Sequence, residues 1–184
     1  MKKEKGFSLV ELMVAIAILA ILMGLAIPGF ARWLPNYRLK GAARDLYSSL
    51  QLAKSGAIKD RAEWAIRFTS ATSYEVWSAR DPDSPSTNTG WNSFSPSDDT
   101  LIKTVNLSEI GSGVAFGTGN STPPAVTGAV TAGSSNPIYF NSRGFITTNA
   151  PIVAYMTNNR NNCYAVGALA SGAVVLRKWE GSWQ

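Results

Sequence analysis

Hydrophobic positions fall into three regimes along the chain. Residues 12–31 are all apolar, glycine or proline, with no charge among them. The run 7–30 predicts a helix of ~36 Å, long enough to cross the hydrocarbon core of a bilayer. From Asn36 to about Lys59 the pattern becomes periodic. Leu39, Ala42, Ala43, Leu46, Leu50, Ala53 and Ala57 recur every three or four residues, which predicts an amphipathic helix with one apolar stripe. Arg38, Lys40, Arg44, Asp45, Ser48, Gln51 and Lys54 fill the other side, and read as a solvated face.

Beyond residue 61 the period shortens to two. Trp64, Ile66 and Phe68 alternate with Ala65 and Arg67, and a polar turn over 69–73 leads into residues 74–77, so a hairpin is expected. Further strands are predicted at 101–107, 114–116, 137–140, 145–146, 152–156, 163–169 and 174–179. Turns at 141–144, 158–162 and 171–172 separate the later ones. Residues 80–100, with Trp91 and Phe94 isolated among Ser, Pro, Asp and Asn, form a long loop, and 117–136 around Pro123-Pro124 a second. The expected fold is α+β: a long N-terminal transmembrane helix, its outer half packed on an antiparallel β-sheet domain.

The ends of the apolar run refine this picture. Lys2, Lys3 and Lys5 precede it, a basic flank that keeps residues 1–6 cytoplasmic and places the chain after residue 31 outside. A cleaved signal peptide would have a shorter apolar region ending in small residues, and Ile27-Pro28-Gly29-Phe30 is not such a site. Pro28 removes a backbone donor and Gly29 weakens the helix, so a local break is expected there. Glu11 lies inside the apolar segment, where an unpaired carboxylate costs at least ~2.5 kcal/mol, so it reads as functional.

Gly6-Phe7-Ser8-Leu9-Val10-Glu11, with the basic leader, long helix and Pro28, resembles the processing site of type IV prepilins and type II secretion pseudopilins. The resemblance implies cleavage between Gly6 and Phe7 by a prepilin peptidase, N-methylation of Phe7, and extraction of the helix from the inner membrane into a fibre of pilins. Physical reasoning gives Glu11 a place in that scheme. Cleavage frees an ammonium on Phe7, and pairing it with Glu11 of a neighbour offsets both desolvation costs and fixes the register. Pairing within one chain, across ~6 Å of helix, is the alternative. The implied organisation is 1–6 leader, 7–30 transmembrane and assembly helix, 31–61 amphipathic second half, and 62–184 β-rich head in the periplasm.

Phe140-Asn141-Ser142-Arg143-Gly144, together with Ser171-Gly172-Ala173-Val174-Val175-Leu176-Arg177, resembles the C-terminal part of the GspH/FimT group of minor pilins and pseudopilins. Some FimT-like members bind DNA through a basic C-terminal motif. Here the basic residues are Arg143, Arg160, Arg177 and Lys178, with Trp179 and Trp183 available for stacking. The Gly-Arg-x-Arg type of tail is absent, so these charges imply at most weak, salt-sensitive contact. A turn role for Arg143 and a positive-φ role for Gly144 are the local readings. A major, fibre-forming pilin would share the same N-terminus.

Composition narrows the chemistry. The 184 residues include no histidine and one cysteine, Cys163, which excludes histidine triads, His/Cys zinc sites and an intrachain disulfide. Many pilins close a C-terminal loop with a disulfide; Cys163 instead sits in an apolar run and reads as buried. Asp81, Asp83, Asp98 and Asp99 lack the ligand order of a calcium loop and read as turn residues. The glycines at 111–119 have no following Gly-Lys-Ser/Thr, so they are no phosphate loop. No metal, cofactor, small-molecule substrate or enzyme activity is expected, and a net charge of +5 is too modest to argue for nucleic acid.

Overall fold

The computed structural model describes residues 6–79, 99–119, 126, 129–133, 136–148, 150–180 and 182–184, with the backbone alone at Pro28. The leader residues 1–5, Trp91, Phe94, Asp81, Asp83, Asp98 and Pro123-Pro124 lie outside the described residues. The chain forms two units, Met1–Leu34 and Pro35–Gln184.

Helix α1 runs from Leu9 to Asp60. In the first unit its span Leu9–Ile27 has a mean hydropathy of 2.7 and none of it is buried within the chain. Leu12, Ile16, Leu19 and Leu22 are each more than half exposed, as are Leu25 and Phe30. Side chains of this kind on every face of a helix call for lipid or other helices around them. The break expected at Pro28-Gly29 is not seen, because the helix is continuous there. A proline forfeits one backbone hydrogen bond, at a cost of about 3 kcal/mol, and the intact turns on either side hold the helix through it.

In the second unit the predicted stripe is buried completely: Leu39, Ala42, Ala43, Leu46, Leu50, Ala53 and Ala57 are all 0% exposed. The stripe meets two sheets. The first has the order β3-β2-β1-β6, from β1 (Trp64–Ser70), β2 (Ser73–Ser78), β3 (Thr100–Asn106) and β6 (Ile138–Phe140). The second has the order β4-β7-β8-β9, from β4 (Val114–Phe116), β7 (Ile152–Asn158), β8 (Cys163–Ala168) and β9 (Val174–Lys178); β5 (Val130–Thr131) also pairs with β7. One core joins Leu46 and Leu50 of α1 to Ile66 and Val76 of the first sheet and to Met156 and Val166 of the second. Gly56 makes room for this packing, since a Cβ there would lie 2.5 Å from the Trp64 ring.

Several expectations are corrected. Among the described residues there are two sheets rather than one, because β6 pairs with β1 and leaves β7 to start the second. β5 pairs with β7 in parallel, held by Val130 N–H to the Pro151 carbonyl and Ala132 N–H to the Val153 carbonyl. The strand expected to return after 141–144 is a single bridge, Phe140 to Ile146. The β1–β2 turn is only Ala71-Thr72, since Ser70 and Ser73 already pair. Residues 107–110 form a one-turn helix, α2 (Leu107–Ile110), capped by the Asn106 side chain.

Strands β7 and β8 are buried throughout, which explains their nearly continuous apolar sequences. Ile152, Ala154, Met156, Tyr164, Val166 and Ala168 face α1, while Val153, Tyr155, Cys163 and Ala165 form a second cluster behind. Val126, Ala129, Trp179 and Trp183 cover that cluster.

Candidate functional site

At the N-terminal end, Gly6 and Phe7 precede α1, and Phe7 is 86% exposed. Ser8 caps the helix: its carbonyl accepts from Leu12 N–H at 3.2 Å and its hydroxyl from Val10 N–H at 3.3 Å. Glu11 lies exposed in the first turn. A negative charge there is favoured by the unpaired N–H groups of the helix start. Ser8 and Glu11 have the spacing of a capping box, a signal that the periodicity argument passed over. The Gly6-Phe7 peptide bond thus precedes a capped helix, one turn from the Glu11 carboxylate.

The four C-terminal basic residues do not form one surface. Arg143 sits in the 141–144 turn, which touches the β8–β9 turn: a Cβ on Gly172 would meet the Gly144 carbonyl. Arg160 sits in the β7–β8 turn, at the other end of β8, which spans roughly 20 Å. Arg177 is exposed on β9, and Lys178 is ion-paired with Glu180, which raises its pKa. Trp179 and Trp183 pack on each other at 5.2 Å, and Trp183 on Tyr155 at 5.8 Å. They close the second core rather than form an open stacking platform.

The motif that carries the C-terminal resemblance is a built turn. The Asn141 side-chain oxygen accepts from Arg143 N–H at 2.9 Å and from Phe145 N–H at 3.1 Å. Gly144 has φ +78°, as its place in the turn predicted. Cys163 is buried and free, and burial pushes its thiol pKa up to about 11.

Two polar groupings were not singled out in the sequence. Tyr74 donates to Asp45 Oδ2 at 2.5 Å, and Lys103 donates to Asp45 Oδ1 at 3.2 Å and to Ser49 Oγ at 3.4 Å. Ser49 and Tyr74 are 2.9 Å apart, and because the Tyr74 proton is committed to Asp45, Ser49 is the donor. Burial first, and the Asp45 hydrogen bond next, raise the Tyr74 pKa. The group ties α1 to β2 and β3. Its sequence signal was Asp45 and Ser49 at i and i+4, on the margin of the apolar stripe. In the second grouping, Asn36 Oδ1 accepts from Asn158 Nδ2 at 3.0 Å and from Asn162 Nδ2 at 2.7 Å, tying α1 to the β7–β8 turn. Among the described residues no group of three or more His, Cys, Asp or Glu is placed to hold a metal.

A hydrophobic helix with a prepilin-like start, joined to a head in which α1 packs on antiparallel sheets, defines a pilin-like subunit. Residues 1–27 match the prokaryotic N-terminal methylation motif, and residues 42–176 match the family described as type II transport protein GspH. The chain belongs to the GspH family. No curated protein matches it. Among solved structures, the type IV minor pilin FimU of Pseudomonas aeruginosa is similar with a TM-score of 0.54 and 11% identity, over 81% of this chain and 94% of that one. The minor pseudopilin EpsH of the Vibrio cholerae type 2 secretion system gives a TM-score of 0.47 and 17% identity, over 77% of this chain and 97% of that one. At 11% identity the likeness to FimU is one of fold.

Proposed function

We propose that the chain is a minor subunit of a type II secretion pseudopilus or type IV pilus. A prepilin peptidase cuts between Gly6 and Phe7, the new amino group of Phe7 is methylated, and the 7–30 helix holds the subunit in the inner membrane with its head in the periplasm. The helix then passes into the fibre, where Glu11 pairs with the ammonium of a neighbouring subunit. The observation that carries this reading is Glu11 itself, a carboxylate on a helix whose following residues 12–31 carry no charge. Leaving it unpaired among apolar helices costs several kcal/mol, and an amino terminus freed by proteolysis is the partner such a fibre supplies.

The test is the N-terminus of the native polypeptide and the behaviour of Glu11→Ala. An N-methylated Phe7 start and loss of the variant from fibres are expected. A start at Met1, or normal incorporation of Glu11→Ala, refutes the reading. Low abundance in purified fibres distinguishes a minor from a major subunit. DNA uptake is not adopted, because Arg143 and Arg160 lie at opposite ends of β8.

A further inference from the structure

The bases just past the apolar run have no use in the function proposed above. Between Ala31 and Asp45 the sequence carries Arg32, Arg38, Lys40 and Arg44 and no acid, whereas Glu4 interrupts the lysines of the leader. Lys and Arg on the exported side of a membrane helix work against its export. Their presence at this end calls for something there that a positive charge binds.

The fold adds another base from far along the chain. Asn36 Oδ1 holds Asn158 and Asn162 at 3.0 and 2.7 Å, so the β7–β8 turn, with the exposed Arg160 on it, stands level with the start of the head's helix. Arg38 lies over Gly111, where a Cβ would be 2.6 Å from its chain, and it donates to Ser112 Oγ at 3.0 Å. Lys40 is exposed, and Tyr37, beside Arg38 in the chain, is 59% exposed. The 141–144 turn marks the opposite end of the head: it rests on Lys54 and Ile58 and touches the β8–β9 turn at Gly172. Glu109 of α2 is at the basic end too, because its neighbour Ile110 lies beside Gly41. It offsets one charge, and Arg38, Lys40 and Arg160 still leave that end positive.

This end cannot stand far from a bilayer that holds the 7–30 helix. The step from Ala31 to Asn36 spans at most ~18 Å fully extended, whatever the angle between the two units, and ~8 Å as helix. The stretch is helical throughout. The headgroup layer outside the hydrocarbon core is ~5–8 Å thick, and a charged surface is felt across about 10 Å at 0.1 M salt.

We propose that the Asn36 end of the head docks through Arg38, Lys40 and Arg160 on anionic phospholipid headgroups at the membrane surface. The guanidinium and ammonium groups pair with lipid phosphates, and the Tyr37 ring sits at the interface. The contact holds the head down while the helix is in the membrane, and it is given up when the helix leaves. It rests on the membrane placement of residues 7–30 in the function proposed above, and not on which machine the subunit serves.

The experiment uses the full chain in vesicles of phosphatidylcholine alone, or with about a third phosphatidylglycerol. A fluorophore is placed on the β7–β8 turn by Asn159→Cys in a Cys163→Val background, and is quenched by a trace of lipid with a nitroxide on its headgroup. Stronger quenching in the anionic vesicles is expected, falling to the neutral-lipid level in ~1 M salt, where screening acts within about 3 Å. The same label at Ser171→Cys, on the far turn, should show no such difference. Each base removed should lower the ratio of docked to undocked heads about five-fold, so Lys40→Gln with Arg160→Gln should lower it roughly 30-fold. Equal quenching in the two kinds of vesicle overturns the proposal, and leaves an acidic protein as the partner of these bases. Quenching that survives high salt or the double variant overturns it too. Flotation of the chain with neutral vesicles in high salt reports insertion of the helix separately. A chain that does not float refutes the membrane placement itself, whereas one that floats with equal quenching refutes only the docking.

Discussion

The carbonyl oxygen of Gly144 lies 1.8 Å from where a Cβ on Gly172 would stand, so the two turns touch only because Gly172 has no side chain. Both glycines have positive φ, +78° and +74°. The two segments that carry the C-terminal resemblance are thus pressed together, and their shared pattern has a steric cause. Gly172→Ala should destabilise the head by about 1–2 kcal/mol from the left-handed backbone alone, with the clash adding to it. Chemical denaturation of the full chain in detergent checks this. An unchanged midpoint would show that the turns can separate freely.

The Asp45 group should behave as a unit. Asp45→Ala leaves the Tyr74 hydroxyl and the Lys103 ammonium short of an acceptor, and should cost roughly 2–3 kcal/mol. Tyr74→Phe removes one of the Asp45 bonds and should cost about 1 kcal/mol. The double variant should cost clearly less than the sum, because both changes break the same bond. Additive losses would mean that the two residues act separately.

Asn36→Ala removes one acceptor that serves two amides. A loss of about 1–2 kcal/mol is expected, with faster hydrogen exchange confined to the 158–162 turn. Uniform acceleration over the head would contradict the local role.

Alkaline pH should weaken the head. Between the ordinary thiol pKa of 9.0 and about 11, the unfolded chain has released the Cys163 proton and the folded chain still holds it. The unfolded state then binds fewer protons, so stability falls as pH rises through that window and is unaffected below it. Tyr74, raised from 10.0 by burial and Asp45, acts in the same direction above its own ordinary value. Thermal melts from pH 8 to 11 should show a falling Tm, and Cys163→Val should make the fall shallower.

For the same reason Cys163 should resist maleimide at pH 7.5 in the folded protein and react once denaturant is added. Labelling at equal rates in both states would place the thiol at the surface.

Periodicity was enough for α1 and for most strands, because burial against one partner leaves a repeating apolar pattern. The stripe from Leu39 to Ala57 matched residue for residue. Glu11 stands out in the sequence as a charge inside an apolar run, whereas the roles proposed for Gly6 and Phe7 rest on the resemblance alone. Periodicity failed where backbone pairing rather than side-chain burial made the structure. The two exposed residues of β5 leave no pattern, and the bridge at Ile146 has too few residues to show one.

What the sequence determined, then, was which surfaces had to be covered: a helix apolar on all sides, a striped helix, and strands whose apolar faces need neighbours. Only the tertiary structure decided which neighbour covers which. It sent β6 to β1, gave β7 and β8 two cores, and brought Asp45 to Lys103 and Asn36 to Asn158 across long stretches of chain. Hydrophobic burial is non-directional and therefore readable as composition along a line, whereas a hydrogen bond needs two specific groups within about 3 Å, a condition that exists only once the chain has folded.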